Sequence, residues 1–318
     1  MLKVNGLKRG DTVGVVAPSK KVSSDDKELA SNFVSYMREV GLKVVFSSDF
    51  GKSDEFNVSS SSPKERADYI NEMFSDPNIS AIWLFQGGQT CNELLPYLDY
   101  DLISKNPKII VGKSDCDVLL MAISKKCGFY TFHGCDAKYG NKKEFDYEYT
   151  QQFFQERLFK GESDIVPYFP WKFMRENDSM KFSGEIVGCN SKSILKLLGT
   201  PFFPDFDKKV LFLEDHKPDV SGLIARITQL KQVGVFDKIS ALVIGHIFEF
   251  DGEETESHIN YEDIVFNLLK EYDFPIMKID EFGHYFPHAF LPLYANVEFD
   301  ISKGMKLTIL DKFLDVKN

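Results

Sequence analysis

The run Thr12-Val13-Gly14-Val15-Val16-Ala17 is bounded by Gly10-Asp11 before it and by Pro18-Ser19 after it, and this pattern predicts a buried β-strand. A helical stretch from about Asp25 to Val40 follows, and the apolar run Leu42–Phe46 predicts the next strand. Strands that alternate with helices in this way are typical of a mostly parallel sheet covered on both faces. The chain therefore opens as an α/β domain.

The same alternation continues to about residue 132. Ser62, Pro63 and Glu65 fit a helix-capping box. The further elements predicted in this half are helices Pro63–Phe74, Cys91–Leu98 and Asp117–Lys126, and strands Ile79–Phe85, Lys108–Val111 and Phe129–Phe132. Because ligands bind at loops that follow the carboxyl ends of parallel strands, Gly87-Gly88 and Gly112-Lys113-Ser114 lie where a site would form.

The second half of the chain has a different pattern. Residues 146–161 are polar and helical, and residues 162–180 are irregular. Further strands are predicted at Phe182–Val187, Val210–Leu213, Ala241–Ile244, Val297–Ile301 and Lys306–Leu310. We therefore expect an N-terminal, mostly parallel α/β sandwich domain over 1–165, a linker over 166–180, and a smaller C-terminal β-rich α/β domain over 181–318.

Composition excludes several classes of protein. The chain has 318 residues, 43% of them hydrophobic, which is enough for substantial cores in two domains. Its 48 acidic and 38 basic residues give a formal net charge of -10, so nucleic acid is not expected as a partner. Neither a signal peptide nor an apolar segment of membrane-spanning length is found, so we expect no membrane partner and a cytoplasmic location. Five cysteines without Cys-x-x-Cys spacing predict reduced thiols and no metal site.

Ser114 is a candidate nucleophile. It lies between a predicted strand and a predicted helix, so its hydroxyl would project from a tight turn, as in a nucleophile elbow. The helix N-terminus would stabilise developing negative charge there, and a neighbouring N–H could point into an oxyanion hole. The second glycine of Gly-x-Ser-x-Gly is missing, however, and a serine before a helix more often only caps it. The sequence has no phosphate-binding Gly-x-x-x-x-Gly-Lys-Ser/Thr loop.

A serine nucleophile needs a base and an acid that orients the base. His284, in an aromatic-rich loop, is the leading candidate for the base, and His288 is its nearest rival. His133 is expected to make a structural hydrogen bond to a loop carbonyl, and His216, which follows two acids, is expected to be solvated. Glu214 ends an apolar strand, where a buried carboxylate would need a partner such as an imidazole. A salt bridge or a solvated strand end explains Glu214 equally well.

Ordered motifs run along nearly the whole chain. They are Leu7–Asp11 with Val15–Ser19, Arg66–Asp68, Gly87-Gly88, Leu94–Asp99, Asn106–Lys108, Gly112–Asp115, Thr131–Gly134, Gly199-Thr200, Leu213–Asp215 and Gly283-His284. Together they resemble the LD-carboxypeptidase family of serine peptidases, and more closely its microcin C immunity branch. A series of this length is far more specific than any single motif.

The resemblance implies a Ser-Glu-His triad that works without a cofactor or a metal. Ser114 would be the nucleophile, His284 the general base and then acid, and Glu214 the carboxylate that orients the imidazole. The N–H groups of Gly88 and Asp115 would form the oxyanion hole. The family fold places such a site between an N-terminal α/β domain and a C-terminal β-rich domain.

The resemblance also implies a small substrate. Family members cleave an amide next to a free C-terminal carboxylate, either in muropeptide tetrapeptides or in peptidyl or aminoacyl nucleotide antibiotics. Asn190 matches a polar residue of the family's second-domain opening, and we expect it to bind that carboxylate, with Lys217 as a looser candidate. A homodimer is the expected assembly.

The chain departs from the family pattern close to the expected site, at Gln89, Lys113, Cys116-Asp117, Cys135, Cys189 and Tyr294. All three triad positions are intact. The alternative interpretation is a non-catalytic or diverged relative that binds a peptide or a nucleotide conjugate. An α/β-hydrolase esterase fits less well because Gly-x-Ser-x-Gly is missing. Lys113 is expected to be a solvated lysine.

Overall fold

A computed structural model describes the chain except for residues 49, 139–143, 163, 176–179, 255–258, 285–286 and 317–318. In this described part the strands form a six-stranded sheet, an eight-stranded sheet and a two-stranded ribbon. No helix in the described ranges is long and apolar enough to cross a membrane.

The strands and helices are numbered in chain order. The strands are β1 (Val4–Asn5), β2 (Thr12–Val16), β3 (Lys43–Phe46), β4 (Ala81–Leu84), β5 (Ile109–Gly112), β6 (Phe132–His133), β7 (Asp164–Ile165), β8 (Lys172–Phe173), β9 (Lys181–Asn190), β10 (Val210–His216), β11 (Ala241–Phe248), β12 (Ile276–Gly283), β13 (Leu291–Pro292), β14 (Asn296–Asp300), β15 (Leu307–Ile309) and β16 (Leu314–Asp315). The α-helices are α1 (Ser24–Glu39), α2 (Pro63–Ser75), α3 (Tyr100–Lys105), α4 (Asp117–Cys127), α5 (Glu148–Gln155), α6 (Ser191–Leu195), α7 (Val220–Gln232) and α8 (Tyr261–Leu268). Short 3-10 turns lie at Cys91–Leu94, Ser114–Cys116, Glu144–Asp146, Asp251–Glu254 and Ile301–Lys303, and a π-helical turn lies at Glu156–Lys160.

The first sheet confirms the predicted α/β class. Its strand order is β13-β6-β5-β4-β2-β3, and the five strands from β6 to β3 are parallel. The predicted capping box is present, because the Ser62 hydroxyl accepts from the Glu65 N–H and the Glu65 carboxylate accepts from the Ser62 N–H. The helix predicted over Cys91–Leu98 is instead a 3-10 turn of four residues.

The second sheet has a parallel centre and antiparallel edges. Its order is β7-β15-β14-β9-β10-β11-β12-β8, in which β9 to β12 are parallel neighbours. Residues 164–173, which include part of the expected linker, contribute the edge strands β7 and β8 to this sheet. The sequence patterns do not predict β12, although its strand end carries His284.

The two halves of the chain are packed together. β13, from the C-terminal half, pairs with β6 at the edge of the first sheet. Phe290, just before β13, packs its ring against Trp83 and Phe154, with ring centroids 6.2 Å and 5.9 Å away. This aromatic cluster fixes the segment that follows His284 on the domain that carries Ser114.

Candidate active site

Ser114 begins the turn that joins β5 to α4. Its φ angle is 62°, a left-handed conformation that non-glycine residues adopt rarely and that is common for strained residues at functional sites. The Gly87 backbone passes close to it, since a Cβ on Gly87 would lie 2.9 Å from the Ser114 Cβ and 3.1 Å from its Oγ. Ser114 thus has the elbow geometry expected of a nucleophile.

His284 and Glu214 are brought together from two parallel strands. Nδ1 of His284 lies 2.6 Å from Oε2 of Glu214, and both residues are buried. Burial raises the pKa of Glu214, and the His133 imidazole offsets part of that rise. Burial also lowers the pKa of His284 well below its ordinary value, and the nearby Lys113 ammonium lowers it further. The imidazole is therefore available as a neutral base.

The expected oxyanion loop lies beside the nucleophile turn. Gly88 follows β4, and a Cβ there would overlap the Ser19 Oγ and lie 2.9 Å from the Lys20 backbone nitrogen, so the close approach requires glycine. The Asp115 carboxylate is buried and accepts hydrogen bonds from the Ser19 hydroxyl at 2.6 Å and from the Cys91 N–H at 2.9 Å. These hydrogen bonds connect the turn that contains Asp115 to the loop that follows Gly88 and fix their relative position.

A polar cleft of about 280 Å³ connects these groups. Ser114, Gly87, Gly88, Asn190 and His284 all line it. Each follows or ends a strand that has parallel neighbours, so the carboxyl ends of both sheets meet at the cleft, where ligands bind in such folds.

Four lysines also line the cleft, although the protein as a whole is acidic: Lys20, Lys138, Lys192 and Lys196. Lys138 is paired with Asp26 at 2.7 Å, and Lys196 with Asp115. Asp136 is the acidic residue on the lining. The lysines were not expected from the sequence, although Lys192 and Lys196 are four positions apart, a spacing that places both on one face of a helix.

The structure separates the two expected carboxylate-binding residues. Asn190 lines the cleft at the end of β9, and its side-chain oxygen accepts from the Lys192 N–H at 3.0 Å, which caps α6. Lys217 follows β10, where its ammonium lies 2.5 Å from the Glu249 carboxylate, and it is not among the residues that line the cleft. Lys192 and Lys196 occupy the cleft on that side.

His216 is half-buried and lines the cleft, so it is not an isolated, fully solvated side chain. Its ring stacks on Phe248 at a centroid distance of 5.3 Å and lies 4.7 Å from the ring of His284. Burial lowers the pKa of His216 to about 4, and the neighbouring His284 contributes to the decrease. His216 therefore packs as a neutral ring beside the candidate base.

A second buried imidazole–carboxylate pair joins the end of β6 to the start of α4, the helix that follows Ser114. Nδ1 of His133 is 2.9 Å from Oδ1 of Asp117, and both side chains are fully buried. Burial raises the pKa of Asp117 to about 6, although His133 opposes the rise. Burial lowers the pKa of His133, but the Asp117 and Glu214 carboxylates together raise it above its ordinary value. His133 therefore makes a structural hydrogen bond, but the expected loop carbonyl is the wrong partner, because the buried Asp117 carboxylate occupies Nδ1.

Lys113 is buried, so the expectation of a solvated lysine is wrong. Its ammonium donates a hydrogen bond to the Glu144 carboxylate and lies 3.9 Å from Oδ2 of Asp136. Burial lowers the pKa of Lys113, but Glu144 and Asp136 more than offset this and raise it above its ordinary range. The lysine is therefore a buried cation directly before Ser114.

Among the described residues, one group of side chains could in principle hold a metal ion. Cys135, Glu144 and His288 place one ligand atom each within 4.8 Å of one another. Burial raises the pKa of the Cys135 thiol well above its ordinary value, and the Lys113 ammonium already lies on Glu144. The positive charge at this cluster is thus supplied by the protein itself.

Comparisons with known proteins agree with this geometry. The chain matches the family models of the LD-carboxypeptidase N-terminal domain over residues 13–134 and of the LD-carboxypeptidase C-terminal domain over residues 183–299. It is 28% identical to the Microcin C7 self-immunity protein MccF of Escherichia coli, over 97% of this chain and 95% of that protein. It is 27% identical to a Bacillus subtilis (strain 168) protein named "Probable murein peptide carboxypeptidase", over 92% of this chain and 90% of that protein.

A solved structure is similar over the same extent. It is that of Microcin C7 self immunity protein MccF in complex with aspartyl sulfamoyl adenosine, with a TM-score of 0.85 and 26% sequence identity. The similarity covers 99% of this chain and all of the other. The two-domain layout is therefore shared with a protein whose structure includes a bound aminoacyl-nucleoside conjugate.

Proposed function

We propose that this chain, which belongs to the LD-carboxypeptidase family, is a serine hydrolase that cleaves an amide next to a C-terminal carboxylate. The observation that carries the proposal is the 2.6 Å contact between His284 and Glu214, with His284 and Ser114 lining the same cleft. These are the three groups that acyl transfer from a serine requires.

The chemistry follows from the positions of these groups. Neutral His284 accepts the hydroxyl proton of Ser114 as Oγ attacks the carbonyl carbon of the scissile amide. Glu214 stabilises the imidazolium that forms. The imidazolium then donates its proton to the leaving nitrogen, the C–N bond breaks, and an acyl-enzyme remains. Water activated by His284 hydrolyses the ester and restores the Ser114 hydroxyl.

The oxyanion of each tetrahedral intermediate would accept hydrogen bonds from the N–H groups of Gly88 and Asp115. Such donors are worth most when they are fixed before the reaction. The close fit of Gly88 against Ser19 and the anchored carboxylate of Asp115 supply that rigidity.

The charge of the cleft favours an anionic substrate. Among the described residues, four lysines and one acidic residue, Asp136, line it, and opposite charge attracts and orients a ligand in a narrow cleft. Both substrate classes that we propose carry negative charge and therefore suit the positively charged side chains of the cleft. One is a muropeptide with a free C-terminal carboxylate, and the other is a microcin C-like peptidyl or aminoacyl nucleotide.

The test is turnover of two defined probes by the purified protein, followed by mass spectrometry. The probes are a muropeptide tetrapeptide and aspartyl sulfamoyl adenosine. We expect one of them to be cleaved, and Ser114→Ala to reduce the rate by about 10⁴-fold. The matched control is Ser124→Ala, because Ser124 is buried on α4 against Thr131 and lies off the cleft.

Each outcome has a distinct meaning. Release of D-alanine would assign a murein carboxypeptidase, and release of aspartate from the nucleoside would assign the antibiotic-immunity activity. Turnover that survives Ser114→Ala would overturn the mechanism. Tight binding of either probe without turnover, together with a Ser114 that a serine-reactive phosphonate does not label, would favour a binding protein.

A further inference from the structure

A lysine of the second domain reaches across the cleft to the nucleophile turn. Lys196 follows α6, and its ammonium donates a hydrogen bond to Oδ1 of Asp115. The same ammonium donates to the main-chain carbonyl of Gln89 at 2.9 Å. Its side chain is 18% exposed and that of Asp115 is 1% exposed, so the contact is largely shielded from water.

These two partners belong to the two loops that would form the oxyanion hole. Asp115 directly follows Ser114, and its own N–H is one of the two expected donors. Gln89 directly follows Gly88, whose N–H is the other. Lys196 therefore spans both halves of the hole with one ammonium group.

The remaining contacts of Asp115 extend the same arrangement. Its second oxygen accepts from Ser19 and from the N–H of Cys91, and Ser19 Oγ accepts from the N–H of Thr90 at 3.2 Å. These bonds lie within the first domain. Lys196 adds the cationic partner of the buried carboxylate, and it comes from the second domain.

We propose that Lys196 is a positioning residue that sets the geometry of the oxyanion hole and makes that geometry depend on the docking of the second domain. The inference rests on the proposed serine hydrolase function. Lys196 acts through Asp115 and Gln89, so its removal would displace the two N–H donors relative to Ser114 and would affect the transition state more than substrate binding.

Lys192 provides a matched comparison. It lines the same cleft one helical turn earlier and carries the same charge, but its ammonium donates to the main-chain carbonyls of His216 and Lys217. Loss of either lysine removes one positive charge from the cleft. Only loss of Lys196 removes the contacts to the nucleophile turn and the oxyanion loop.

The experiment measures kcat and KM for Lys196→Met and Lys192→Met on whichever probe the wild-type protein cleaves. We expect Lys196→Met to lower kcat by roughly 10- to 100-fold with a small change in KM, since small displacements of reacting groups have effects of that order. We expect Lys192→Met mainly to raise KM, because it removes a cleft charge without breaking a contact to Asp115 or Gln89. Lys196→Arg keeps the positive charge and can still donate to Asp115 and to the Gln89 carbonyl, so it should retain more of kcat than Lys196→Met.

A second measurement tests the route of the effect. If Lys196 acts through Asp115, the losses in kcat for Lys196→Met and Asp115→Asn are not additive in the double variant. Circular dichroism and thermal unfolding check that each variant is folded, and Lys196→Gln replaces Lys196→Met if the latter is not. Equal kcat in Lys196→Met and Lys192→Met, or additive losses in the double variant, would overturn the inference and leave the serine mechanism intact. Ser114→Ala, measured in parallel, tests the proposed function separately.

Discussion

Nδ1 of His284 lies 2.6 Å from Oε2 of Glu214, although the two residues are 70 positions apart in the chain. His284 follows β12 and Glu214 lies near the end of β10, and β11 lies between these strands in the sheet. Oε1 of Glu214 has no hydrogen-bond partner among the described residues. Oε2 is therefore the Glu214 oxygen that contacts the imidazole.

Replacing this carboxylate by an amide should reduce catalysis and leave the fold in place. Glu214→Gln keeps an oxygen near Nδ1 but loses the charge that stabilises the imidazolium, so we expect kcat to fall by about 10²- to 10⁴-fold. The measurement is steady-state kcat on the cleaved probe, with the melting temperature as a check of folding.

The adjacent carboxylate supplies the control for that variant. Asp215 is paired with Arg226 at 2.8 Å and with the Ser191 hydroxyl at 2.5 Å, so it is bonded away from His284. Asp215→Asn should lower the melting temperature and keep kcat within about threefold, because it weakens a buried ion pair outside the triad. A Glu214→Gln enzyme as fast as Asp215→Asn would contradict the orienting role.

The pH dependence of activity should reflect the buried base. Burial lowers the pKa of His284, and a general base must be neutral, so activity is retained as pH falls through the ordinary histidine value of about 6.5. We expect the acid limb of kcat/KM to have its midpoint below the ordinary histidine value, and that midpoint belongs to the His284–Glu214 pair. Circular dichroism at each pH separates this limb from acid unfolding. A midpoint at or above 6.5 in folded protein would show that burial does not control this base.

The small size of Gly87 should be needed for the position of the nucleophile. A Cβ there would lie 2.9 Å from the Ser114 Cβ and 3.2 Å from the Asp115 nitrogen, both shorter than an ordinary contact. Gly87→Ala should therefore displace Ser114 and lower kcat by on the order of 100-fold, with most of the protein still folded.

The control for Gly87→Ala is a glycine that has a positive φ angle but open space around its would-be Cβ. Gly304 has a φ of 98° and nothing within 4 Å of its would-be Cβ, so Gly304→Ala strains the backbone without a steric clash. We expect Gly304→Ala to lower the melting temperature slightly and to keep kcat. If Gly87→Ala retained full kcat, the close approach of the two loops would not matter to the reaction.

The sequence predicts the first domain better than the second for a physical reason. Strands such as β4 and β5 are buried on both faces and are therefore continuous apolar runs, which are easily recognised. β12 is also largely buried, but it contains Lys278, Asp280 and Glu281. Lys278 is bonded to Asp280, and Glu281 accepts from the indole N–H of Trp171 at 2.8 Å. Charged residues that find hydrogen-bond partners inside the fold therefore make a buried strand resemble a surface loop.

The same limit applies to the candidate site. The positions that end apolar strands, such as Ser114 and Glu214, were found from local pattern and from the family motifs. The cleft lysines were not, because Lys138 and Lys196 reach the cleft only through the packing of separate loops and domains. A single sequence shows which residues are charged but not which opposite charges they contact in the fold. The burial of Lys113 against Glu144 could therefore not be predicted.

The burial of Lys113 leads to a prediction about stability. Its side chain is 2% exposed and that of Glu144 is 6% exposed, and the two are bonded. Breaking a buried pair by removing one partner leaves an uncompensated charge, so Lys113→Met should lower the free energy of unfolding by about 3–5 kcal/mol. Replacing both partners by apolar residues of similar size removes that charge, so Lys113→Met/Glu144→Leu should be markedly more stable than Lys113→Met alone. Urea unfolding of the wild type, both single variants and the double variant measures the coupling. Additive losses across that cycle would mean that the two groups do not stabilise each other, and that Lys113 is held by the surrounding structure instead.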